Sequence, residues 1–167
     1  QAEAAGIAPT VAMNPVLLKP ENDRQAQIIV RGKALTRISA ADFPQLKSQL
    51  WSAITESLDQ LRTDFDIVVI EGAGSPAEIN LKDRDLVNMK VALYCHAPVL
   101  LAADIDRGGI FAALVGTMEL LDADEKERVK AFIVNKFRGD VSLLTPGLDW
   151  LAARTGVPVA GVVPYFH

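Results

Sequence analysis

Three short stretches hold the side chains that could do chemistry. Glu71-Gly72-Ala73-Gly74-Ser75 sets a carboxylate ahead of two glycines, Asp104-Ile105-Asp106-Arg107-Gly108-Gly109 sets two carboxylates and a guanidinium ahead of two more, and Asn135-Lys136 pairs an amide with an ammonium. A carboxylate at the end of a buried strand commonly holds Mg²⁺ or a metal-bound water in nucleotide enzymes, which makes Glu71 the candidate metal ligand. Gly72 and Gly74 remove side chains beyond it, so that backbone N–H groups can approach an anion. A Gly-rich turn with a solvated Glu71 explains the same residues. Asp106 can cap a helix, and that reading also suffices by itself. Two glycines at a helix start cost helix stability and free N–H groups for an anion, and Arg107 offers a bidentate fork for phosphate or carboxylate. An amide such as Asn135 can present donor and acceptor to a purine edge, although Asn is also a turn former.

Strands of a parallel sheet would position these groups. Asp66 to Ile70 reads as the central strand, apolar on successive positions and so covered on both faces. Pro98 to Asp104 reads as another doubly buried strand, Lys130 to Asn135 as the next, and Pro158 to Val163 as the last. Glu71, Asp104 and Asn135 then finish three consecutive strands, and a parallel sheet brings such ends to one edge. Between the strands, apolar residues at spacings of three and four predict a long helix from Asp42, its N-cap candidate, to about Arg62. A polar loop over 75–85, a short helix over 86–96 and a helix opened by Asp106-Arg107-Gly108-Gly109 and running to Leu121 follow. Pro146 suits the first turn of a helix ended by Gly156. Ahead of them, residues 1–6 read as the end of a helix stopping at Gly6, residues 13–20 as an extended piece, and Gln25 to Val30 as a strand closed by Arg31-Gly32-Lys33. The alternation predicts an α/β fold with a mostly parallel sheet, helices on both faces and right-handed crossovers.

A chain of 167 residues fits a single domain with a sizeable core, and 50% hydrophobic against 23% charged residues is a globular composition. Net charge −4 gives no basic footprint for nucleic acid, and no apolar run approaches the roughly 20 residues that span a bilayer. Cys95 is the single cysteine, so a reducing cytoplasm is the simplest setting, and the residue reads as a small buried hydrophobe on a helix. His96 reads as packing or capping, and His167 as a disordered end.

The blocks Glu71 to Leu81, Asp104 to Gly109 and Asn135 to Asp140, with Thr155-Gly156-Val157-Pro158 and Gly161 to Tyr165, closely resemble cobyric acid synthase in order and spacing. The resemblance implies a P-loop NTPase fold like that of dethiobiotin synthetase. It also implies an ATP- and glutamine-dependent amido-ligase of cobalamin biosynthesis. ATP would phosphorylate peripheral side-chain carboxylates (b, d, e and g) of adenosylcobyrinic acid a,c-diamide, and ammonia from a C-terminal class I glutaminase domain would displace the phosphate. On this similarity Glu71 would bind Mg²⁺. Gly72, Gly74, Ser75 and Asn80, with Gly108 and Gly109, would line phosphate or substrate carboxylate. Asn135 and Lys136 would meet the adenine, with the Val163-Pro164 turn closing on the base. Asp104, Asp106 and Arg107 would face the corrinoid carboxylate and the transferring phosphoryl group.

The sequence departs from that family in two places. It has no Gly-Lys-Ser or Gly-Lys-Thr phosphate loop and no glutaminase domain with its nucleophilic cysteine. It therefore reads as most of the ATP-binding domain of a longer chain, inactive alone and weak for ATP. An unpaired central edge would be open to a homodimer. Three alternatives share the residues: the sister synthase amidating the a and c side chains, a dethiobiotin synthetase-like ligase, and a ParA-like or MinD-like switch ATPase. A switch ATPase would be expected to show a membrane-targeting helix or a basic surface, and neither is visible.

Overall fold

The computed structural model describes residues 2–22, 25–39 and 43–166. Two compact units make up the chain, residues 1–71 and 72–167.

In the first unit a short helix α1 (Ala2–Ala5) stops at Gly6, whose φ of +67° is the left-handed conformation that glycine takes most cheaply. Strands β1 (Val16–Asn22), β2 (Gln25–Val30) and β3 (Lys33–Ser39) form an antiparallel sheet in sequence order. The turn between β2 and β3 is Arg31-Gly32, both at positive φ (47° and 77°), as a two-residue hairpin with right-twisted strands requires. Helix α2 (Phe43–Asp64) packs against β1. Its Leu50, Ala53 and Leu58 are buried at spacings of three and five, and Ile28 on β2 is fully covered. The expected N-cap, Asp42, lies outside the described residues, as do Gln1 and His167.

Two expectations fail in this unit. The sheet here is antiparallel and adds to the mostly parallel sheet expected: residues 13–20 are expected to be merely extended, and β3 is not among the expected strands. Nor do residues 66–70 form a strand. Ile67 and Val69 are 81% and 87% exposed, and no ladder partner exists for them among the described residues. A strand is a paired object, and apolar side chains alone do not make one.

The second unit holds the parallel sheet. Helix α3 (Met89–Cys95) ends at His96, which takes the left-handed C-cap conformation at φ +54°. Strands β4 (Val99–Asp104), β5 (Val129–Phe137) and β6 (Val159–Pro164) lie in the order β4-β5-β6, all parallel. Helices α4 (Ile110–Leu120), α5 (Ala123–Arg128) and α6 (Thr145–Thr155) connect them. Pro146 sits in the first turn of α6, and Gly156 at φ +72° caps its end, both as expected. The core gathers Phe132 and Val134 of β5, Leu114 of α4 and Leu151 of α6, each at most 1% exposed.

β4 is not doubly buried. Leu100 and Ala102 are exposed while Val99, Leu101 and Ala103 turn inward, because helix α4 and the core pack on that inward face of β4. Helix α5, unread in the sequence, begins with a capping box in which Asp122 and Glu125 bond each other's backbone N–H groups.

Candidate functional site

The sheet register fixes the centre of the site. Asp104, the last residue of β4, lies directly opposite Asn135 on β5. The Asn135 amide donates from Nδ2 to Asp104 Oδ1 at 3.0 Å, and Lys136 Nζ donates to Oδ2 at 2.5 Å. Successive residues of a regular strand face opposite ways, so Asn135 and Lys136 should not reach one carboxylate together. They do because Lys136 takes φ +60° and the β5–β6 register shifts between Val134 and Phe137. Such an irregularity re-aims a side chain, here the ammonium. β5 accordingly runs two residues past Asn135, its expected end, and Val163-Pro164 belongs to β6 opposite it rather than to a turn.

The ammonium hydrogen bond from Lys136, more than any other contact, holds the Asp104 carboxyl below its ordinary range, with Asn135 adding to it and partial burial opposing. The same bond raises Lys136. Both groups therefore carry full charge at neutral pH. The pair is part-exposed, at 27% and 40% of side-chain area, so solvent screens it.

Beyond β4 the chain turns through Ile105–Arg107 as a single 3₁₀ turn, then passes Gly108 at φ +74° and Gly109 at φ +70° into α4. Gly109 is the N-cap and brings no side chain to the helix end, so Asp106 does not cap α4 as expected. The Asp106 carboxylate and the Arg107 guanidinium make no hydrogen bond among the described residues, which leaves the fork of Arg107 available beside a helix N-terminus without a side-chain cap.

A cleft of about 480 Å³ joins two of the three stretches. Gly74, Ser75 and Pro76 line one part of it and Asp104, Arg107 and Gly108 another, with apolar residues of β4 and α4 between. The Gly72 expectation changes in detail. The Asn88 side chain accepts from Ala73 N–H at 3.0 Å and donates to Ala73 C=O at 2.9 Å, so this N–H is already committed. A Cβ at Gly72 would lie 2.4 Å from Asn88 Oδ1, which is why glycine stands there. Gly74 takes φ +67°, and Ser75 Oγ accepts from Ala77 N–H. Asn80 is exposed in a turn.

Glu71 follows no strand and ends the first unit, so the register that brings Asp104 to Asn135 does not extend to it. Among the described residues no group of three His, Cys, Asp or Glu side chains gathers as a metal cage. Cys95 points its thiol at Val91 C=O within its own helix, and His96 serves as a cap.

Two arrangements went unread. Arg138 lies 3.5 Å over the ring of Tyr165, at the ends of β5 and β6. Lys82 bonds Asp122 at 2.6 Å and Glu125 at 2.9 Å, tying the polar loop to the start of α5. The Asp122-x-x-Glu125 spacing was the available signal for the second.

The family described as AAA domain matches residues 36–167. The chain belongs to the AAA domain family. This AAA domain has the α/β, P-loop NTPase-type architecture expected of it, with a three-stranded parallel sheet. It is 66% identical to the cobyric acid synthase of Sorangium cellulosum, over 99% of this chain and 32% of that protein. With the cobyric acid synthase of Nostoc sp. the identity is 59%, over 100% of the chain and 34% of the relative. With that of Yersinia enterocolitica it is 58%, over 99% and 32%. The resemblance read from the five motif blocks is thus borne out along the chain. The chain spans about a third of the length of the curated relatives it matches. No solved structure matches it significantly. No helix among the described residues is long and apolar enough to cross a membrane.

Proposed function

We propose that this AAA domain activates a carboxylate with ATP, as the nucleotide-handling part of a cobalamin-biosynthetic amido-ligase. The observation that supports it best is the cleft that unites Gly74-Ser75-Pro76 with Arg107 and Gly108, because these belong to the blocks on which the likeness to cobyric acid synthases rests. In the reaction, a carboxylate oxygen of the corrinoid attacks the γ-phosphorus and ADP leaves. Ammonia then attacks the acyl carbon, phosphate departs and a proton is lost, leaving the amide. Phosphoryl transfer asks a protein for positioning and charge neutralisation more than for covalent chemistry. Arg107 and the N–H groups at the start of α4 suit that task, since both would stabilise the negative charge that grows on the transferring group.

Mg²⁺ takes one or two carboxylates and completes its shell with substrate phosphates, so an exposed carboxylate such as Glu71 fits it without a cage. Bound there, the ion would neutralise phosphate charge. The ammonia would come from a glutaminase domain in the part of the protein outside this chain, which would work in the cytoplasm on a corrinoid acid.

The test uses the full-length protein. Glu71→Gln keeps shape and removes charge, and Mg²⁺-dependent ATP turnover should fall by about 10²-fold or more while the fold persists. Arg107→Lys keeps charge and loses the fork, and should also slow turnover. Near wild-type amidation by both variants would remove both residues from the reaction.

A further inference from the structure

Asp104 was read as a catalytic carboxylate, yet both its oxygens are occupied, Oδ1 by the Asn135 amide and Oδ2 by the Lys136 ammonium. Asn135 and Asp104 touch at 3.0 Å. They cannot serve opposite ends of one ATP, with ribose and three phosphates between the base and the reacting phosphorus. One of the two roles must move, and the chemistry of the pair says which.

A carboxylate only accepts hydrogen bonds. The side of Asn135 that faces Asp104 is therefore NH₂, whatever the incoming ligand, and the amide oxygen must point the other way. This holds without seeing hydrogens, because the opposite flip would set two acceptors against each other. Lys136 further stabilises the ionised, acceptor-only carboxylate, and its left-handed backbone, one residue before the end of β5, is what lets it arrive there. Asn135 Oδ1 accepts no hydrogen bond among the described residues. A fixed, outward amide oxygen welcomes a ring that offers an exocyclic amine and opposes one that offers a carbonyl.

We propose that Asp104 is a positioning residue of the base site, which orients the Asn135 amide so that the protein selects 6-aminopurine over 6-oxopurine nucleotides. The inference rests on the reading above in one respect, that a purine nucleotide binds and Asn135 meets its base. Asp104 then sets specificity and leaves the reacting groups to Asp106 and Arg107. The ion pair with Lys136 is the support of the orienter, not a ligand for phosphate.

Equilibrium binding of ATP and GTP to the full-length protein tests this, with the ratio of the two Kd values as the readout. Asp104→Asn supplies both a donor and an acceptor to Asn135 and so permits either flip. The ATP preference should fall about tenfold. Asn135→Ala removes the reader and should abolish the preference to at least the same extent. Lys136→Met loosens the support yet leaves an acceptor at position 104, so both Kd values should shift by a common factor. A merely structural salt bridge would give the reverse pattern, with Asp104→Asn and Lys136→Met equally harmful to the melting temperature and neither altering the ratio. That result overturns the inference. An unchanged ratio in Asn135→Ala instead overturns the underlying base reading, and the two failures are distinguishable. Should Asp104→Asn not fold, Asp104→Glu keeps an acceptor-only group, and loss of the ATP preference in a folded Asp104→Glu that still binds nucleotide would likewise count against the proposal.

Discussion

Residues 66–70 and 99–104 are the same kind of peptide, an apolar run bounded by a carboxylate, and they end in different states. Val99–Asp104 bonds to β5 along its length, so its inward residues Leu101 and Ala103 pack on the core while Leu100 stays outside. Ile67 to Ile70 has no partner strand among the described residues, and Val69 is 87% exposed. The side chains supply the hydrophobic incentive in both. Only a neighbour whose N–H and C=O groups complete the ladder converts it into structure, because buried backbone left unpaired is costly.

The strongest way to break this contrast is to strike the paired region at its centre. Phe132→Ala, at a fully buried site of β5, should cost about 3–5 kcal/mol of stability by urea denaturation. A loss under 1 kcal/mol would mean that the parallel sheet is not the folding core. A smaller effect is expected at the helix contact behind the sheet. A Cβ at Gly147 would lie 2.5 Å from the Phe111 ring, so Gly147→Ala should cost about 1–3 kcal/mol. Gly116→Ala meets nothing within 4 Å in the middle of α4 and should stabilise by about 0.5–1 kcal/mol instead.

Acid probes the ladder end. The folded carboxyl of Asp104 lies below its ordinary value of 3.8, so its contribution is present above that pH and lost as pH falls through the lowered folded value. Lys82 lies above its ordinary 10.5, and its contribution is present below that pH and lost as pH rises through the raised one. Urea midpoints of wild type and Asp104→Asn should therefore converge only in strong acid, and those of wild type and Lys82→Met only in strong alkali. Least of all in stability, Val69→Lys should stay within about 0.5 kcal/mol of wild type. It should nonetheless reduce concentration-dependent self-association of this chain in sedimentation, since an exposed apolar segment invites a second copy. Equal association of wild type and variant would show that residues 66–70 are not the associating segment.

Much of the second unit was readable because its signals are local. Pro146 and Gly156 announce both ends of α6, and β4 through β6 each carry an apolar run between turn residues. The meeting of Asp104 with Asn135 followed from parallel register alone. What escaped depended on partners distant in sequence. Nothing in Ile67-Val68-Val69-Ile70 tells that it has no ladder partner among the described residues, and nothing in Asn135-Lys136 tells that Lys136 turns left-handed to share one carboxylate. β3 went unread because its apolar residues, Ala34, Leu35 and Ile38, do not alternate strictly, and the register slip between Ile28 and Ile29 shifts the pattern. The Asp106 cap failed because two glycines intervene before α4 begins.

The Arg31-Gly32 turn has a consequence for the order in which the chain assembles. Its two residues join β2 to β3 with almost no loop to close, and a hairpin of this kind forms in about 1–10 μs. The pairing of β4 with β5 must instead close a crossover that includes two helices, and such distant parallel contacts are slow to form. Amides of 25–39 should therefore gain protection in pulse-labelled hydrogen exchange before those of 99–104 and 129–137. The residues that build the chemical site would then be among the last to find each other, long after the antiparallel sheet has taken shape.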